Sequence, residues 1–394
     1  MATTYGVYIH IPFCKSKCDY CDFYSLAGRE EEMDHYQKAL IAQLRSFAPR
    51  LKGRVADTIY FGGGTPSYYG EKRLRELLML IQRVFTVSRQ AEITVECNPD
   101  SVDKKMLCKL RRAGFNRISL GVQSSDDETL RRLGRVHTWQ QVKDAVAACR
   151  KAGLDNISLD LIYGLPDQTM EQWENTLADA LVLAPRHISC YGLKLEEGTP
   201  LYDRRESLNL PDGDLQADMY LYAVELLTQN GYAQYEISNF AQPGYESRHN
   251  LKYWMLEEYA GFGPGAYSDF GGVRYGYTRD LDGYIAGRLD LAESERISPQ
   301  EREMEYIMLR LRTARGIDIR EFENRFRQRF APLAAILENC AAHGLARQTE
   351  TGWCLTPRGF LVSNRIIGDL QEELNREKVQ RLARAARGDY RILE

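Results

Sequence analysis

Hydrophobic and polar positions alternate between two patterns over the first 200 residues. Short β-rich runs recur, and each is followed by a polar or Gly-containing loop and a stretch with helical period. The pattern predicts six strands, at Gly6–His10, Thr58–Phe61, Ile93–Cys97, Arg117–Val122, Ile157–Ile162 and His187–Tyr191. It also predicts five amphipathic helices, over roughly Glu31–Phe47, Lys72–Phe85, Lys104–Arg112, Trp139–Lys151 and Glu171–Leu183.

Six successive βα units indicate an α/β fold built on a partial parallel (βα)6 barrel. Runs such as Ile157–Ile162 are nearly all apolar, as expected where helices cover one face of the sheet and a packed interior covers the other. A doubly wound open sheet would give the same periodicity, so this second fold stays open at this point.

The pattern changes beyond residue 200. A further helix is predicted from Leu215 to Thr228, and then a Gly/Tyr/Pro-rich stretch from Gly231 to Gly287 has no steady period. From about Ser298, three helices and a small hairpin predict a mostly helical, winged-helix-like unit, followed by a charged helix from Gln371 to Arg387. We therefore expect a barrel domain over 1–235, a connecting segment over 236–297 and a C-terminal domain over 298–394.

Composition narrows the class of protein. The 394 residues carry a net charge of −3, which argues against a nucleic-acid binder that relies on overall basic charge. The sequence contains no apolar run of the roughly 18 residues that a transmembrane helix needs, although peripheral membrane contact stays open. The N-terminus lacks the pattern of a signal peptide, and nine cysteines are too sparse for a secreted disulfide framework, so we expect a cytoplasmic protein.

Three of the nine cysteines lie within eight residues. Cys14, Cys18 and Cys21 have the spacing Cys-x3-Cys-x2-Cys, in a loop directly after the first strand. Such a loop suits three irons of a [4Fe–4S] cluster and leaves the fourth iron open to an exogenous chelator. A structural zinc site is less well matched, because such sites usually take four protein ligands. The alternative without any metal is a set of buried, reduced cysteines.

Polar residues and glycines end the other predicted strands. Gly62-Gly63-Gly64-Thr65 ends the second strand, Glu96 the third and Gln123 the fourth, while Asp160 lies within the fifth and Gly192 follows the sixth. Because parallel barrels carry their sites at the carboxyl ends of the strands, these residues are expected on the same side as the cysteines.

The cysteine motif, with an aromatic residue before its last cysteine, resembles that of the radical S-adenosylmethionine (SAM) superfamily. The resemblance implies a partial (βα) barrel and a [4Fe–4S] cluster bound by Cys14, Cys18 and Cys21. It further implies that SAM chelates the open iron and that an electron donor reduces the cluster, so that SAM can be cleaved to a radical.

Gly-Gly-Gly-Thr-Pro, Gly-Val-Gln and Asp-Leu-Ile-Tyr-Gly-Leu-Pro narrow the resemblance to the branch of the oxygen-independent coproporphyrinogen III oxidases. Matching this branch residue by residue implies SAM contacts at Tyr8, Tyr20, Gly63, Gly64, Thr65, Glu96, Gln123, Arg135, Asp160 and Gly192. The C-terminal unit also resembles that of the branch.

Two departures from the oxidases favour the related HemW-type heme chaperones. The oxidases typically continue the motif as Cys-x-Cys, whereas Phe23 stands here, and they carry an extension before the cysteine loop. The run His249-Asn-Leu-Lys-Tyr253-Trp resembles the chaperone signature and implies His249 as a candidate axial heme ligand. Imidazole is a competent ligand of heme iron, but a hydrogen-bonded structural histidine remains the alternative.

We therefore expect a heme chaperone that delivers heme to acceptor proteins such as respiratory hemoproteins. Two enzymatic alternatives stay open. One is decarboxylation of coproporphyrinogen III propionates, which the two departures from the oxidases make less favoured than heme delivery. The other is radical-dependent opening of the heme ring.

Overall fold

The predicted alternation of strands and helices is confirmed. The protein was analysed as a computed structural model that describes residues 3–386, with side chains described through residue 379. Within them the chain forms two compact units. The first comprises residues up to 233, 238–253 and 257–296, and the second comprises 234–237, 254–256 and the residues from 297 onward. The expected three-part division of the chain stays a prediction, and residues 387–394, including Arg387 of the predicted tail helix, lie outside the described residues.

The strands up to residue 295 are β1 (Thr4–Ile11), β2 (Phe13–Cys14), β3 (Leu26–Ala27), β4 (Val55–Gly63), β5 (Val87–Cys97), β6 (Arg117–Gln123), β7 (Ile157–Tyr163), β8 (His187–Gly192), β9 (Ala233–Gln234), β10 (Asn239–Ala241), β11 (Tyr259–Phe262), β12 (Tyr267–Phe270), β13 (Val273–Tyr277) and β14 (Leu291–Glu295). Strands β2 and β3 pair with each other beside the cysteine loop. The other strands form one sheet in the order β14-β13-β12-β11-β1-β4-β5-β6-β7-β8-β10-β9.

The centre of the sheet is parallel and follows chain order. Strands β1, β4, β5, β6, β7 and β8 are parallel neighbours in that sequence, and β11 adds to β1 in the same direction. A doubly wound sheet would reverse its strand order at a switch point, and this sheet does not, so the fold is the partial barrel.

The interior of the barrel is polar, which corrects the expectation of a packed interior. Along β7, Ile157, Leu159 and Leu161 belong to the apolar core under the helices, whereas Ser158 and Asp160 line the interior cavity. Successive side chains of a strand point to opposite faces, so the strand that reads as nearly continuous apolar sequence is in fact two-sided.

The long helices of the first unit, up to residue 229, bury their apolar faces in the core on the outer side of the sheet. The helices of this unit are α1 (Met33–Phe47), α2 (Pro66–Tyr69), α3 (Glu71–Val84), α4 (Lys104–Ala113), α5 (Asp127–Arg132), α6 (Trp139–Lys151), α7 (Met170–Val182), α8 (Pro200–Asp203), α9 (Gly213–Gln229), α10 (Arg248–Trp254) and α11 (Leu281–Ile285). By contrast with the long helices, α10 carries Asn250 into the lining of the interior cavity. Helices α6 and α7 begin at capping boxes, in which Thr138 and Thr169 each accept a hydrogen bond from the backbone N–H of the glutamine three residues later.

The stretch from Gly231 to Gly287 contains regular structure that its sequence pattern does not predict. Strands β11 to β13 extend the sheet beyond β1, and β10 pairs antiparallel with β8 at the other side. These strands are only three to five residues long, too short for a steady period to be visible.

The second unit is mostly helical, as predicted. It contains α12 (Pro299–Arg310), α13 (Ile319–Phe326), α14 (Ala331–Ala342), α15 (Pro357–Leu361) and α16 (Ser363–Ala386), with β15 (Ile317–Asp318), β16 (Ala346–Gln348) and β17 (Gly352–Leu355). The three strands pair in the order β15-β17-β16, which gives the wing-like hairpin. No helix among the described residues is long and apolar enough to cross a membrane.

Candidate functional site

A cavity of about 420 Å³ opens at the carboxyl ends of the parallel strands. The three clustered cysteines and most of the predicted SAM-contact residues line it together: Cys14, Cys18, Cys21, Tyr20, Gly63, Gly64, Thr65, Glu96, Gln123, Arg135 and Asp160. Its volume lies in the range of small-molecule sites, roughly 300–1,000 Å³. The structure therefore brings together residues that are up to about 150 positions apart in the sequence.

The turn after β4 holds the start of the cysteine loop through its backbone. The Gly64 N–H donates to the Ile11 carbonyl at 2.7 Å, and the Thr65 N–H donates to the Phe13 carbonyl at 2.8 Å. A Cβ atom on Gly64 would lie 2.8 Å from the Phe13 oxygen, and Gly63 has a φ of +110°. Glycine is therefore required here for close backbone approach and for an unusual φ angle.

A polar network connects the thiols with the ends of three strands. The Cys14 Sγ and Thr65 Oγ1 atoms lie 3.3 Å apart, and Asn98 donates to the same hydroxyl at 3.3 Å. Arg135 donates to Asn98 Oδ1 at 2.9 Å and to Cys18 Sγ at 3.5 Å. Arg135 therefore places a positive charge beside the Cys18 sulfur, and the thiolate is the form of cysteine that binds metal.

The three thiols suit a cluster better than a single ion. No group of three or more His, Cys, Asp or Glu side chains among the described residues is arranged to hold one metal ion. A [4Fe–4S] cluster places its thiolates on different irons, so its ligands need to surround one space without converging on one point. Burial raises the pKa of the Cys14 and Cys21 thiols, so metal binding there must displace protons.

Glu96 is held at the cavity wall by two donors. The Tyr60 hydroxyl donates to Oε1 at 2.8 Å, and the Gly63 N–H donates to Oε2 at 3.1 Å. Burial raises the pKa of Glu96 to about 7, and the charge of Asp160 adds to this effect against the two hydrogen bonds. The carboxyl group can thus change its protonation state near neutral pH.

Asp160 also lines the cavity and accepts hydrogen bonds from three serines. The hydroxyls of Ser119 and Ser189 lie 2.7 Å from its carboxylate oxygens, and that of Ser158 lies 3.3 Å away. Burial raises the pKa of Asp160, while these donors and the nearby Arg117 oppose the shift.

Sequence reasoning missed this group of polar residues in the barrel interior. Arg117 is 2% exposed, and its Nε and Nη1 atoms have no hydrogen-bond partner among the described residues. The sequence does contain a signal for these residues. Alternate residues of a strand share one face, and this spacing puts on the face of the end-of-strand residues Arg117, Ser119, Ser158 and Ser189.

Two of the predicted SAM contacts lie elsewhere. Tyr8 lines a second cavity, of about 360 Å³, instead of the first. Gly192 ends β8 beside the Tyr163 ring and is not among the residues that line the first cavity, although its neighbour Tyr191 is. Both assignments stay predictions.

His249 is buried on α10 with both ring nitrogens hydrogen-bonded. Nδ1 lies 2.8 Å from the Thr58 hydroxyl, and Nε2 lies 2.8 Å from the Tyr253 hydroxyl. The ring stacks on Tyr60 with a centroid distance of 5.1 Å and on Tyr8 at 6.4 Å. Burial lowers the pKa of His249 to about 3, so the imidazole is neutral, and an axial role would require one of its hydrogen bonds to open.

The start and the far side of α10 are also anchored. Glu92 accepts hydrogen bonds from the backbone N–H groups of Arg248 and His249, at 3.2 and 3.0 Å. Lys252, 3% exposed, forms ion pairs with Asp57 at 2.9 Å and Glu257 at 2.8 Å. Acidic groups at a helix N-terminus and a buried, paired lysine hold the helix in one position.

Comparison with known proteins agrees with this fold. The model of the radical SAM superfamily matches residues 8–180, and that of the HemN C-terminal domain matches residues 297–362. A solved structure of coproporphyrinogen III oxidase (HemN) from Escherichia coli superposes with a TM-score of 0.81 over 94% of this chain and 90% of that chain. At 24% identity this likeness establishes the fold. The fold is that of a radical SAM protein.

Curated relatives show which family of the superfamily the chain belongs to. The chain is 36% identical over 377 residues to "Heme chaperone HemW" of Bacillus subtilis, covering 94% of this chain and 100% of the relative. It is 37% identical over 369 residues to "Heme chaperone HemW" of Escherichia coli, covering 92% and 97%. The chain belongs to the HemW family of the radical SAM superfamily. Membership of the superfamily implies a [4Fe–4S] cluster and SAM as cofactors.

Proposed function

We propose that this protein is a heme chaperone that carries a SAM-liganded [4Fe–4S] cluster, binds heme and delivers it to acceptor hemoproteins, respiratory ones among them. The observation that carries the cofactor part is the single cavity into which three free thiols, Glu96, Gln123 and Arg135 open. The chaperone part is supported by relatives of that name that match over almost their whole length.

In this proposal Cys14, Cys18 and Cys21 hold the cluster, and the remaining cavity holds SAM. The bound cluster and SAM supply reductive radical chemistry when an electron donor is present. Gly63 and Gly64 line the cavity with backbone atoms, which the methionine end of SAM can approach closely. The other SAM contacts in this cavity are assigned to Tyr20, Thr65, Glu96, Gln123, Arg135 and Asp160, while the matched positions Tyr8 and Gly192 lie outside its lining and stay predictions.

The roles of the charged residues follow from their positions. Arg135 suits the SAM carboxylate, because it already lies beside Cys18 and an arginine pairs strongly with carboxylates. Glu96 suits a ribose hydroxyl, which would donate to an ionised carboxylate. Nine free cysteines suit the reducing cytoplasm, which we retain as the proposed compartment.

The second candidate function is decarboxylation of coproporphyrinogen III. The shared fold with the oxidase favours it, whereas the curated relatives favour heme delivery. Axial ligation of heme by His249 is implied by the resemblance and is untested, and the hydrogen bonds of both ring nitrogens favour the alternative of a structural histidine.

Two anaerobic assays on the reconstituted protein separate the functions. The chaperone proposal expects heme-loaded protein to transfer heme to an apo-hemoprotein, followed by the acceptor's absorbance spectrum, at a rate above that of free hemin released from albumin. With dithionite, SAM and coproporphyrinogen III, it expects no protoporphyrinogen. Protoporphyrinogen formation without heme transfer would overturn the chaperone function in favour of the oxidase.

A further inference from the structure

The second cavity is lined almost entirely by aromatic rings. Tyr8 and His10 of β1, Phe23 and Tyr24 of the cysteine loop, Tyr253, Tyr259 and Tyr267 surround a space of about 360 Å³, together with Gly265 and Arg279. All of these residues belong to the first unit. We call this cavity the tyrosine cleft. Aromatic rings offer wide apolar surfaces and stack on other flat π-systems.

Two aromatic side chains stand open to solvent at the cleft. Phe23 is 70% exposed and Tyr267 is 43% exposed. Both rings are therefore free to stack on a flat molecule that enters the cleft. Phe23 also lines the cysteine cavity, and the two cavities therefore adjoin.

Arg279 is the cation of the cleft. Its guanidinium lies 3.8 Å from an Asp22 carboxylate oxygen, longer than a hydrogen bond, and the side chain is about half exposed. It can therefore pair with a carboxylate of a bound molecule, and arginine does so with two parallel hydrogen bonds. A flat apolar ring with carboxylate arms satisfies both the tyrosine walls and Arg279.

His249 lies directly behind the wall of the cleft. Its Nε2 is hydrogen-bonded to Tyr253, and its ring stacks on Tyr8, so it contacts two of the lining residues while lying outside the lining itself. A Cβ on Gly6 would lie 3.1 Å from the His249 ring, so β1 also packs closely against it. The geometry fixes the two tyrosine rings.

We propose that the tyrosine cleft is the heme site, that Arg279 pairs with a heme propionate, and that His249 is a positioning residue that holds Tyr253 and Tyr8 without ligating the iron. This inference rests on the proposed heme-binding function and names the site where that function would occur.

Hemin titration of the purified full chain, followed by the Soret band, tests the cleft. Arg279→Gln should weaken binding about ten-fold or more, the effect of losing a hydrogen-bonded charge pair. Hemin dimethyl ester, which has no free propionate, should bind the wild type more weakly than hemin does and should bind wild type and Arg279→Gln alike. Arg288→Gln, a second half-exposed arginine of the same unit, is the matched control and should bind like wild type.

Further variants test the stacking surface and the positioning role. Phe23→Ala should weaken hemin and its dimethyl ester by the same factor, because stacking does not depend on the propionates. His249→Ala should weaken hemin binding but leave the Soret position and the electron paramagnetic resonance g-values of the bound iron unchanged. His249→Gln, which can still hydrogen-bond Tyr253, should restore much of the affinity.

Each failure has a distinct meaning. Wild-type protein that binds no hemin in a saturable manner would overturn the proposed function itself. Wild-type binding that neither Arg279→Gln nor Phe23→Ala weakens would place heme elsewhere and overturn the cleft. A changed axial-ligand spectrum in His249→Ala would show that His249 ligates iron, which overturns its positioning role.

Discussion

Replacing Glu96 with glutamine should change how the stability of the protein depends on pH. Glu96 keeps its carboxyl group among Tyr60, the Gly63 N–H and the nearby charge of Asp160, and burial raises its pKa from 4.5 to about 7. A carboxyl group with a raised pKa in the folded state binds protons more tightly there than in the unfolded chain. Its contribution to stability is thus complete below pH 4.5 and is lost as the pH rises through about 7.

The magnitude follows from the two pKa values. The interval between 4.5 and about 7, at about 1.36 kcal/mol per pKa unit, corresponds to at most about 3 kcal/mol. The glutamine variant has no such titration. Loss of a hydrogen bond, because the amide cannot accept both bonds that the carboxyl group accepts, adds a separate, pH-independent cost of roughly 1 kcal/mol to the variant. The stability difference between variant and wild type should therefore move in favour of the variant by up to about 3 kcal/mol between pH 5 and pH 8.

Urea denaturation of the cofactor-free full chain, monitored by circular dichroism at several pH values, measures this difference. Glu197→Gln makes the same chemical change at an exposed position and serves as the matched control. A difference curve for Glu96→Gln that stays flat from pH 5 to pH 8 would refute the reasoning. If Glu96 also holds the ribose of SAM, wild-type affinity for SAM should rise through pH 7, and the variant should lose that rise.

Three further perturbations address the rest of the first unit. Cys21→Ala, reconstituted anaerobically, should lose the absorbance of the cluster and most of its iron. Cys108→Ala, which changes a cysteine outside the cavity, should retain both. Equal iron contents in the two variants would contradict the ligand assignment. Lys252→Met leaves the carboxylates of Asp57 and Glu257 without their buried cation. It should lower the free energy of unfolding, measured by urea denaturation, by about 3–5 kcal/mol. A loss below about 1 kcal/mol would show that these ion pairs contribute little to stability. Gly64→Ala forces a methyl group against the backbone at the start of the cysteine loop and should reduce iron incorporation. Gly213→Ala, at a position with open space around it, is the control and should behave like wild type. Normal iron content in both variants would argue against the close contact at Gly64.

Local patterns were sufficient to predict most of the barrel. Helix α6 occupies the residues that its period predicts, because its start is marked by a threonine cap and its face by regular apolar spacing. The parallel strands are predicted because each is β-rich and followed by a loop, although β5 begins at Val87, well before its predicted start at Ile93. The cysteine loop and the strand-end residues meet in one cavity because parallel strands carry their carboxyl ends to the same side.

The remaining features depend on contacts between distant segments. The environment of His249 is made by Thr58, about 190 positions earlier, and by the packing of α10 against β1, so its motif alone suggests an accessible ligand. The tyrosine cleft likewise combines β1, the cysteine loop and short strands that have no visible period. The polar interior was overlooked because isolated polar residues such as Ser158 are hidden within an apolar run.

The central claim is that the chain binds heme beside a cluster site. It is tested most directly by titrating hemin into the protein with and without the reconstituted cluster and following the Soret band to saturation. The account predicts a saturable band at one heme per chain. A Soret change that rises without saturation, or no change at all, would contradict it.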